Sequence, residues 1–545
     1  MHDVGSVAPV VAHTTRVHFR VATPLMKLRL RLLAMLAWCT FLVAKPAVSQ
    51  RAIVSARDSA LVGRILLAED RRDSSSIAVR VGERHSDPRI RLLARRAAAR
   101  VRDSRFAARD SFPALASPPT YGDPPWRLRF RGLVATSTDC SALRGALIDS
   151  ALPVRLRAAD LAGPACAADS ALVGILRGWV ATGATALSPA WTDRRRGAAW
   201  HAAAHGLLAL ARLEPDTARA LLPGMATARS PSLRMYAARA AGVLGDTTAL
   251  RRLAGDGDDN VKEVAIEALA KLAGHAGDDE YLAALSSRGY QAVRAAARAL
   301  AGSPRASDVL LAALGTARRL RADTSETSRD ARLAVLERIG EFGGVASAKE
   351  VAALTADFDC NVARSAAAIA ARLGASRAAA RCTALPVELP VDAIALALGR
   401  EVRLLVTIAD SNGGGSFTVR LRGDVAPIMA GRVLALARSG YYDGLVWHRV
   451  EPDFVIQGGS PGANEYVGHP RYIRDELGTL PHVRGTVGMS TRGHDTGDAQ
   501  WFVNLRDNLR LNRDYTVFGE IVDGIDVVDR ILEGDTIARI RVFTP

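Results

Sequence analysis

The residues best suited to chemistry lie in the last quarter of the chain, where Arg449 follows a short strand-like stretch. Two phenylalanines, Phe454 and Phe502, and two glutamines, Gln457 and Gln500, occur in the segments around it. An arginine is a permanently charged hydrogen-bond donor, and the other side chains offer apolar surface and amide groups. The block contains no Ser-His-Asp arrangement, P-loop, GxGxxG or metal constellation, so it does not predict covalent, nucleotide or metal chemistry.

Six local sequences in this block carry a family resemblance. In chain order they are 440–444 (GYYDG), 447–450 (WHRV), 454–459 (FVIQGG), 484–490 (RGTVGMS), 499–504 (AQWFVN) and 515–519 (YTVFG). A single motif of this kind would be weak, but the ordered set is highly specific. Over about residues 401–545 the chain resembles the cyclophilin-type peptidyl-prolyl cis-trans isomerases, particularly the bacterial members.

The resemblance implies an eight-stranded antiparallel β-barrel of cyclophilin type, with two helices and a shallow groove for an X-Pro peptide. The family's catalytic arginine falls on Arg449, and its proline-pocket phenylalanines fall on Phe454 and Phe502. Its groove glutamines fall on Gln457 and Gln500. We therefore expect Arg449, Phe454, Gln457 and Phe502 to form the catalytic centre, without a metal or a cofactor.

The resemblance also implies further substrate-binding residues beside Gln500, namely Val455, Ser490, Thr491, Leu511 and Tyr515. Val455 stands where many members have Met, and Tyr515 replaces a His that is common in eukaryotic members. Arg510 falls where a Trp supports binding of cyclosporin-class inhibitors. Sensitivity to those inhibitors therefore stays an open question.

The implied reaction breaks no bond. Rotation about a peptide bond costs about 18–20 kcal/mol, so X-Pro bonds exchange over tens of seconds. In the twisted state the prolyl nitrogen becomes pyramidal and gains a lone pair. A guanidinium can donate to that lone pair but not to the planar amide, so it binds the transition state selectively.

Two functions remain open. One is an isomerase acting on proline-containing protein clients, and the alternative is an inactive cyclophilin-like peptide-binding module in a scaffold protein. The joint presence of Arg449, Phe454, Gln457 and Phe502 favours the isomerase, because a binding module has no need of the arginine.

Short β-branched runs after about residue 385 predict the elements that position these residues. Residues 402–409 and 417–421 are predicted as strands, and a helix is predicted over 428–439 before Gly440. Further strands are predicted, including 517–521 and 537–542. Regular short strands with few helices indicate a small β-barrel.

The middle of the chain repeats a polar turn, an aliphatic residue beside a basic one, and an Ala-rich helix. Leu233, Val261 and Val293 are 28 and 32 residues apart, and Val362 lies 69 residues beyond Val293. From Val261 to Leu272, apolar residues recur at helical spacing and form one stripe that a neighbouring unit must cover. A period near 30 with two helices per unit predicts an α-solenoid.

This region resembles HEAT-type repeats. The expected organisation is a HEAT-like solenoid over 50–384, a linker over 385–400 and the cyclophilin-like domain over 401–545. Because arrays of this type usually bind other macromolecules, a protein partner on the solenoid is expected, by analogy of fold alone.

The N-terminus predicts an export signal over residues 1–49. A basic stretch at 27–31 precedes an apolar run over 32–44, and small residues stand just before Gln50. Met26 is a plausible true start, which would make the preceding residues an upstream extension. Cys39 follows Trp38 rather than a small residue, which argues against a lipoprotein. We expect a periplasmic or secreted protein; the alternative reading of this segment is a buried helix.

Four cysteines follow the expected cleavage site as two sequence-local pairs, Cys140 with Cys166 and Cys360 with Cys382. An oxidising compartment permits two disulfides, and buried free thiols are the alternative. His201 and His205 are four residues apart on a predicted helix, but the sequence offers no third metal ligand beside them. We interpret them as helix-surface histidines.

The formal charge of +16 is unevenly distributed. Residues 51–400 carry +14, whereas residues 401–545 carry −3. Basic and acidic residues alternate in the middle of the chain without interleaved aromatics, which favours a solvated helical surface over nucleic-acid binding. No run of eighteen apolar residues is present, so no membrane span is expected after signal cleavage.

Overall fold

The computed structural model describes residues 56–103, 117–186, 197–375, 379–383, 385–386, 389–409 and 414–545. The predicted export signal and the proposed start at Met26 lie outside these residues. No helix in the described ranges is long and apolar enough to cross a membrane.

Helices make up the ordered elements of the described chain up to residue 399. They are α1 (Ala56–Arg71), α2 (Ile77–Glu83), α3 (Pro88–Arg102), α4 (Pro125–Gly132), α5 (Cys140–Ala146), α6 (Leu152–Leu161), α7 (Ser170–Ala186), α8 (Gly197–Leu213), α9 (Pro215–Ala226), α10 (Pro231–Leu244), α11 (Thr247–Ala254), α12 (Asp259–Ala273), α13 (Asp278–Ala284), α14 (Tyr290–Ala299), α15 (Ala306–Arg321), α16 (Arg329–Phe342), α17 (Val345–Ala352), α18 (Cys360–Arg372) and α19 (Val391–Gly399). We call α4–α18 the helical array.

From α8 onward, alternate helices of the array pack against one another and form a row. Helices α8, α10, α12, α14, α16 and α18 form this row, and α9, α11, α13, α15 and α17 each pack against a row member. The repeat positions Leu233, Val261, Val293 and Val362 are all buried in the row. The predicted succession of helical repeats is therefore confirmed, because each helix hides its apolar face only against its neighbours.

Helix α12 shows how one repeat is defined. The Asp258 carboxylate accepts from the backbone N–H groups of Asn260 and Val261 and caps the helix. At the other end Gly274 has a φ of +51°, which a residue with a side chain rarely adopts.

The predicted apolar stripe of α12 is wrong at its C-terminal end, because Leu272 is 45% exposed while Ile266 is buried. Since α10, α11 and α14 all pack on α12, the buried band lies nearer its middle.

The C-terminal part is an antiparallel sheet. Its strands are β1 (Arg403–Ile408), β2 (Gly415–Leu421), β3 (Arg449–Val450), β4 (Val455–Gly458), β5 (Thr486–Met489), β6 (Trp501–Asn504), β7 (Val517–Asp523) and β8 (Ile537–Phe543), with helices α20 (Pro427–Arg438) and α21 (Ile525–Val528) between them. The strand order is β3-β4-β6-β5-β7-β2-β1-β8. This confirms the predicted eight-stranded antiparallel fold, with element bounds within about two residues of those expected.

Isolated backbone contacts, rather than an eighth ladder, join the two ends of the curled sheet. The N–H groups of Gly444 and Trp447 donate to the carbonyl oxygens of Ile537 and Asp535, at 2.8 and 2.9 Å. The N–H of Ile537 returns a bond to the carbonyl oxygen of Leu445 at 2.8 Å. The segment that leads into Arg449 is therefore fixed before β3 begins.

Helices α1–α3 and α19 share their hydrophobic core with the sheet rather than with the array. Ile65, Leu93 and Ile394 belong to the same buried cluster as Trp447 and Trp501. Helix α19 lies within the predicted linker and packs against α20. Its approach is close, since a Cβ at Gly431 would stand 2.3 Å from Ile394 Cγ1.

Buried polar contacts also join the N-terminal helices to the sheet. Arg96 on α3 forms ion pairs with Glu69 and Glu476, at 3.2 and 3.0 Å. Arg100 donates to the carbonyl oxygens of Asp475 and Leu477. Desolvated charges of this kind persist only when each has partners, so these contacts fix how the two parts meet.

The interpretation of His201 as a helix-surface residue is wrong. Its ring is 3% exposed, and Nε2 lies 2.7 Å from the carbonyl oxygen of Glu533, between β7 and β8. His205, one turn along α8, contacts Asp160 at 2.6 Å and Tyr236 at 3.1 Å. His201 is buried because α8 packs against the segment before β8, a contact that no local pattern reveals. His205 is partly buried, and its partners lie on α6 and α10 of the array.

Both cysteine pairs are disulfides in the structure. Cys140 is bonded to Cys166 and Cys360 to Cys382, with Cα–Cα distances of 5.4 and 5.1 Å. The second bond attaches the segment 379–383 to the first residue of α18.

Candidate functional site

A groove of about 250 Å³ lies on the sheet where β3, β4 and β6 meet the segments after β5 and β6. Nine of the ten predicted site residues line it, namely Arg449, Phe454, Val455, Gln457, Ser490, Thr491, Phe502, Leu511 and Tyr515. The exception is Gln500, which lies behind Gln457. The fold thus brings together residues that are up to 66 positions apart in sequence.

The floor of the groove is a small apolar cluster separate from the main core. Val455, Phe502 and Leu511 are buried in it, and Phe454 and Tyr515 pack against them. The rings of Phe502 and Tyr515 meet edge to face at 5.7 Å. An apolar floor open on one side suits a compact apolar ring, such as that of proline.

Gly488 on β5 makes room for the Phe502 ring. A Cβ at this position would lie 2.4 Å from Phe502 Cζ, which no real contact tolerates. The pairing of Gly488 with Phe502 across β5 and β6 fixes this approach. The glycine in the sequence motif 484–490 therefore sets the position of the groove floor.

Arg449 occupies the rim above that floor. It pairs with Gln457 across β3 and β4, and its guanidinium carbon lies 5.9 Å from the centre of the Phe454 ring. The guanidinium donates to Glu451 Oε1 at 2.7 Å and to Glu465 Oε1 at 3.3 Å. The arginine side chain is 38% exposed, and both carboxylates are about half exposed, so these ion pairs are weak and exchangeable.

A relay of two amides connects the groove to the loop 460–472. Gln457 donates from Nε2 to Gln500 Oε1 at 3.2 Å. Gln500 in turn donates to the carbonyl oxygens of Glu465 and Val467, at 3.2 and 3.1 Å. Gln500 therefore acts on the groove through Gln457 and the loop instead of lining it.

His482 supports the floor from below as a neutral ring. Asn504 donates to Nδ1 at 3.2 Å, so Nε2 carries the proton and donates to the carbonyl oxygen of Tyr515 at 3.1 Å. Burial lowers the pKa of His482 below its usual value. The ring stacks against Phe502 at 5.7 Å.

The helical array forms the back of the loop 460–472. Asn260 on α12 donates to the carbonyl oxygen of Gly462 and accepts from Asn464, both at 3.0 Å. Arg294 on α14 lies 5.3 Å from the centre of the Tyr466 ring. Array residues thus contact the loop that carries Glu465, one of the two partners of Arg449.

Two charged residues that line the groove, Glu465 and Arg492, were not predicted from the sequence. Arg510, which the resemblance placed at an inhibitor-binding position, also lines the groove and lies 4.7 Å from the Phe454 ring centre. No signal in the sequence separates Glu465 and Arg492 from other surface charges, since their position depends on the array. Among the described residues, no group of His, Cys, Asp and Glu could hold a metal ion.

Comparison with known proteins agrees with this geometry. A family model described as cyclophilin type peptidyl-prolyl cis-trans isomerase/CLD matches residues 405–543. A peptidyl-prolyl cis-trans isomerase of Helicobacter pylori is 37% identical over 135 residues, which cover 24% of this chain and 83% of the relative. Peptidyl-prolyl cis-trans isomerase B of Bacillus subtilis is 34% identical over 131 residues, covering 24% of this chain and 92% of the relative.

Among solved structures, a cyclophilin type peptidyl-prolyl cis-trans isomerase of Cryptosporidium parvum is 25% identical. The alignment with it covers 27% of the present chain and 98% of the Cryptosporidium parvum chain, with a TM-score of 0.25. The family match and the near-complete coverage of the bacterial relatives agree with the groove built from Arg449, Phe454, Gln457 and Phe502. The chain belongs to the cyclophilin-type peptidyl-prolyl cis-trans isomerases.

Proposed function

We propose that the protein isomerises X-Pro bonds of protein clients outside the cytoplasm, and that its HEAT-like array takes part in binding those clients. The observation that carries the proposal is the convergence of nine predicted residues on one groove, with Arg449 above the Phe502 floor. The arginine is displayed at the rim, where it can reach a bound peptide.

The arrangement suggests how the reaction proceeds. The apolar floor holds the proline ring while the acyl side of the bond rotates. As the prolyl nitrogen becomes pyramidal, Arg449 exchanges an exposed carboxylate partner for that nitrogen. Because no proton is transferred, the reaction needs no group that titrates near neutral pH.

The test for client activity is refolding of a protein whose slow phase is limited by X-Pro isomerisation. Catalytic amounts of the full chain are expected to accelerate that phase, while fast phases stay unchanged. An unchanged slow phase with a folded protein would contradict the proposal.

An alternative is favoured by one specific observation, the pairing of Arg449 with Glu451 and Glu465. If these carboxylates hold the guanidinium permanently, the groove binds proline peptides without isomerising them. Replacing both glutamates by glutamine distinguishes the two functions. An isomerase needs only the arginine and should keep its activity, whereas an inactive module should gain activity once the guanidinium is released.

Export is part of the proposal and is supported by the signal-like sequence at 27–49 and by the two disulfides, which are typical of oxidising compartments. Mass analysis of the protein made in a bacterial cell is expected to give a chain that begins at Gln50 and has no free thiol. A chain recovered from the cytoplasm with its N-terminus intact would contradict it.

A further inference from the structure

A second cavity lies between the helical array and the C-terminal sheet. Its volume is about 590 Å³, within the range of ligand-binding pockets. Residues of α4, α6, α8 and α10 form one wall, and the turn 450–454 with Leu532 and Glu533 forms the other. The cavity therefore exists only in a chain that carries both parts.

The cavity and the isomerase groove share a wall. Phe454 lines both of them. Glu451, which pairs with Arg449 at the groove, also lines the cavity. The turn from Glu451 to Phe454 is thus the partition between the two sites. A chain that leaves the groove over this turn enters the cavity.

The array side of the cavity offers apolar surface that is not covered by the rest of the described chain. Val134, just after α4, lines the cavity and is 54% exposed, and the half-buried Phe130 and the buried Leu156 line it as well. Exposed apolar surface gathered in a concave site is a sign of a binding partner.

Charged groups around the cavity are mostly paired. Asp453 accepts from Arg131 at 2.6 Å and from Arg506 at 3.0 Å. Arg157 on α6 also lines the cavity, and its guanidinium lies 5.5 Å from the Phe130 ring centre. Its Nε is buried and has no acceptor among the described residues. A cavity with apolar surface at Val134 and Phe130 and a guanidinium beside it matches an apolar side chain whose backbone carbonyl accepts a hydrogen bond.

We propose that this cavity binds the client polypeptide itself, taking a large apolar residue close to the isomerised proline. To pass from the groove into the cavity, the client chain must cross one side chain of the wall between them. That distance takes about two to three extended residues, at roughly 3.3–3.6 Å each. The array would then select clients by an apolar residue at that spacing. The inference rests on the proposed isomerase function, since the groove must hold the proline.

The first test uses the unmodified full chain and peptides with one proline and a photoreactive benzoyl-phenylalanine. The probe is placed two or three residues from the proline, on either side. We expect crosslinks to residues 130–134 or 153–157 for one placement. The absence of crosslinks to these array residues for every placement would overturn the inference.

The second test compares peptides that differ only in carrying Leu or Gly at the position found by crosslinking. We expect the Leu peptide to have the higher kcat/KM. Val134→Trp, which fills the cavity from an exposed position, should reduce the Leu-to-Gly preference about tenfold, and Arg157→Gln should reduce it in the same direction. Val345→Trp is the matched control, because Val345 is 78% exposed on α17 and lines neither site.

The outcomes separate the two proposals. If the wild-type chain isomerises neither peptide, the proposed function fails. If it isomerises both peptides equally, or if Val134→Trp and Arg157→Gln leave the preference unchanged, only the cavity assignment fails.

Discussion

Arg492 of the groove and Asp330 of the helical array form an ion pair, with 2.9 Å between Nε and Oδ2. The same guanidinium lies 5.4 Å from the ring centre of Tyr466 and 6.0 Å from that of Tyr472, on the loop 460–472. The first turn of α16 therefore fixes a residue that lines the site where X-Pro peptides are expected to bind. The array is a structural part of the groove and not only an appendage.

Removal of this contact should weaken the groove. Asp330→Ala removes the carboxylate that faces Arg492 and leaves a longer bond of 3.4 Å to the carbonyl oxygen of Thr327 as its contact with the array. We expect KM for an X-Pro peptide to rise about three- to tenfold, which corresponds to roughly 0.7–1.4 kcal/mol. A steady-state isomerase assay on the full chain measures it.

Asp308→Ala is the matched control for that variant. Asp308 also lies in the first turn of an array helix, but it pairs with the exposed Arg305. Equal KM values for wild type and Asp330→Ala would show that the groove does not depend on this ion pair with the array.

Gly488→Ala should displace the Phe502 ring, because the added methyl would lie 2.4 Å from it. We expect a loss of about 1–3 kcal/mol in stability from overpacking, and a fall in kcat/KM of at least about tenfold. Gly315→Ala on α15 serves as control, since a Cβ there meets nothing within 4 Å. Full activity of Gly488→Ala would mean that the floor is not fixed by this strand pair.

The pH profile follows from His482. Burial lowers the pKa of His482 in the folded chain. Between that folded pKa and the ordinary histidine value of about 6.5, the unfolded chain therefore binds more protons than the folded one. The stability that depends on neutral His482 is thus complete above pH 6.5 and decreases as the pH falls below it. We expect kcat/KM to be constant from pH 7 to 9 and to decline on the acid side.

His482→Gln keeps a neutral polar side chain at this place and should flatten the acid-side decline relative to wild type. A loss of activity centred above pH 7 in the wild-type chain would contradict the assignment of a neutral ring.

Arg96→Ala should destabilise the contact between α3 and the sheet. It leaves Glu69 and Glu476 buried without their shared partner, a change that costs about 3–5 kcal/mol. Urea unfolding of the full chain measures the shift. Arg95→Ala, at the adjacent exposed position, should change the midpoint little, and equal midpoints for the two variants would contradict a role for the buried ion pairs.

The groove could be predicted residue by residue because its motifs are local. Gln457 and Phe502 lie in the short strands β4 and β6, and Phe454 directly precedes β4. Each belongs to a local motif that carries the family resemblance, so each position has its own signal in the sequence. The repeat anchors Val261 and Val293 were predictable for the same reason, since helical periodicity is a local property. The end of the stripe at Leu272 was not, because its exposure depends on which helices lie nearby.

What the sequence could not predict depends on contacts between distant segments. His201 is buried where α8 meets the segment before β8, and the ion pair of Arg492 forms where α16 meets the groove. The membership of α1–α3 in the core of the sheet is a further case, since an amphipathic helix does not specify which apolar surface covers it.

The most direct test of the whole account is the rate of cis-to-trans isomerisation of a short X-Pro peptide by the full chain and by Arg449→Ala. Arg541→Ala, an exposed arginine on β8, is the matched control. We expect kcat/KM to fall about 100- to 1000-fold in Arg449→Ala, chiefly through kcat, with the fold and the Arg541→Ala rate unchanged. Equal rates for wild type and Arg449→Ala, or no activity in the folded wild-type chain, would contradict the account.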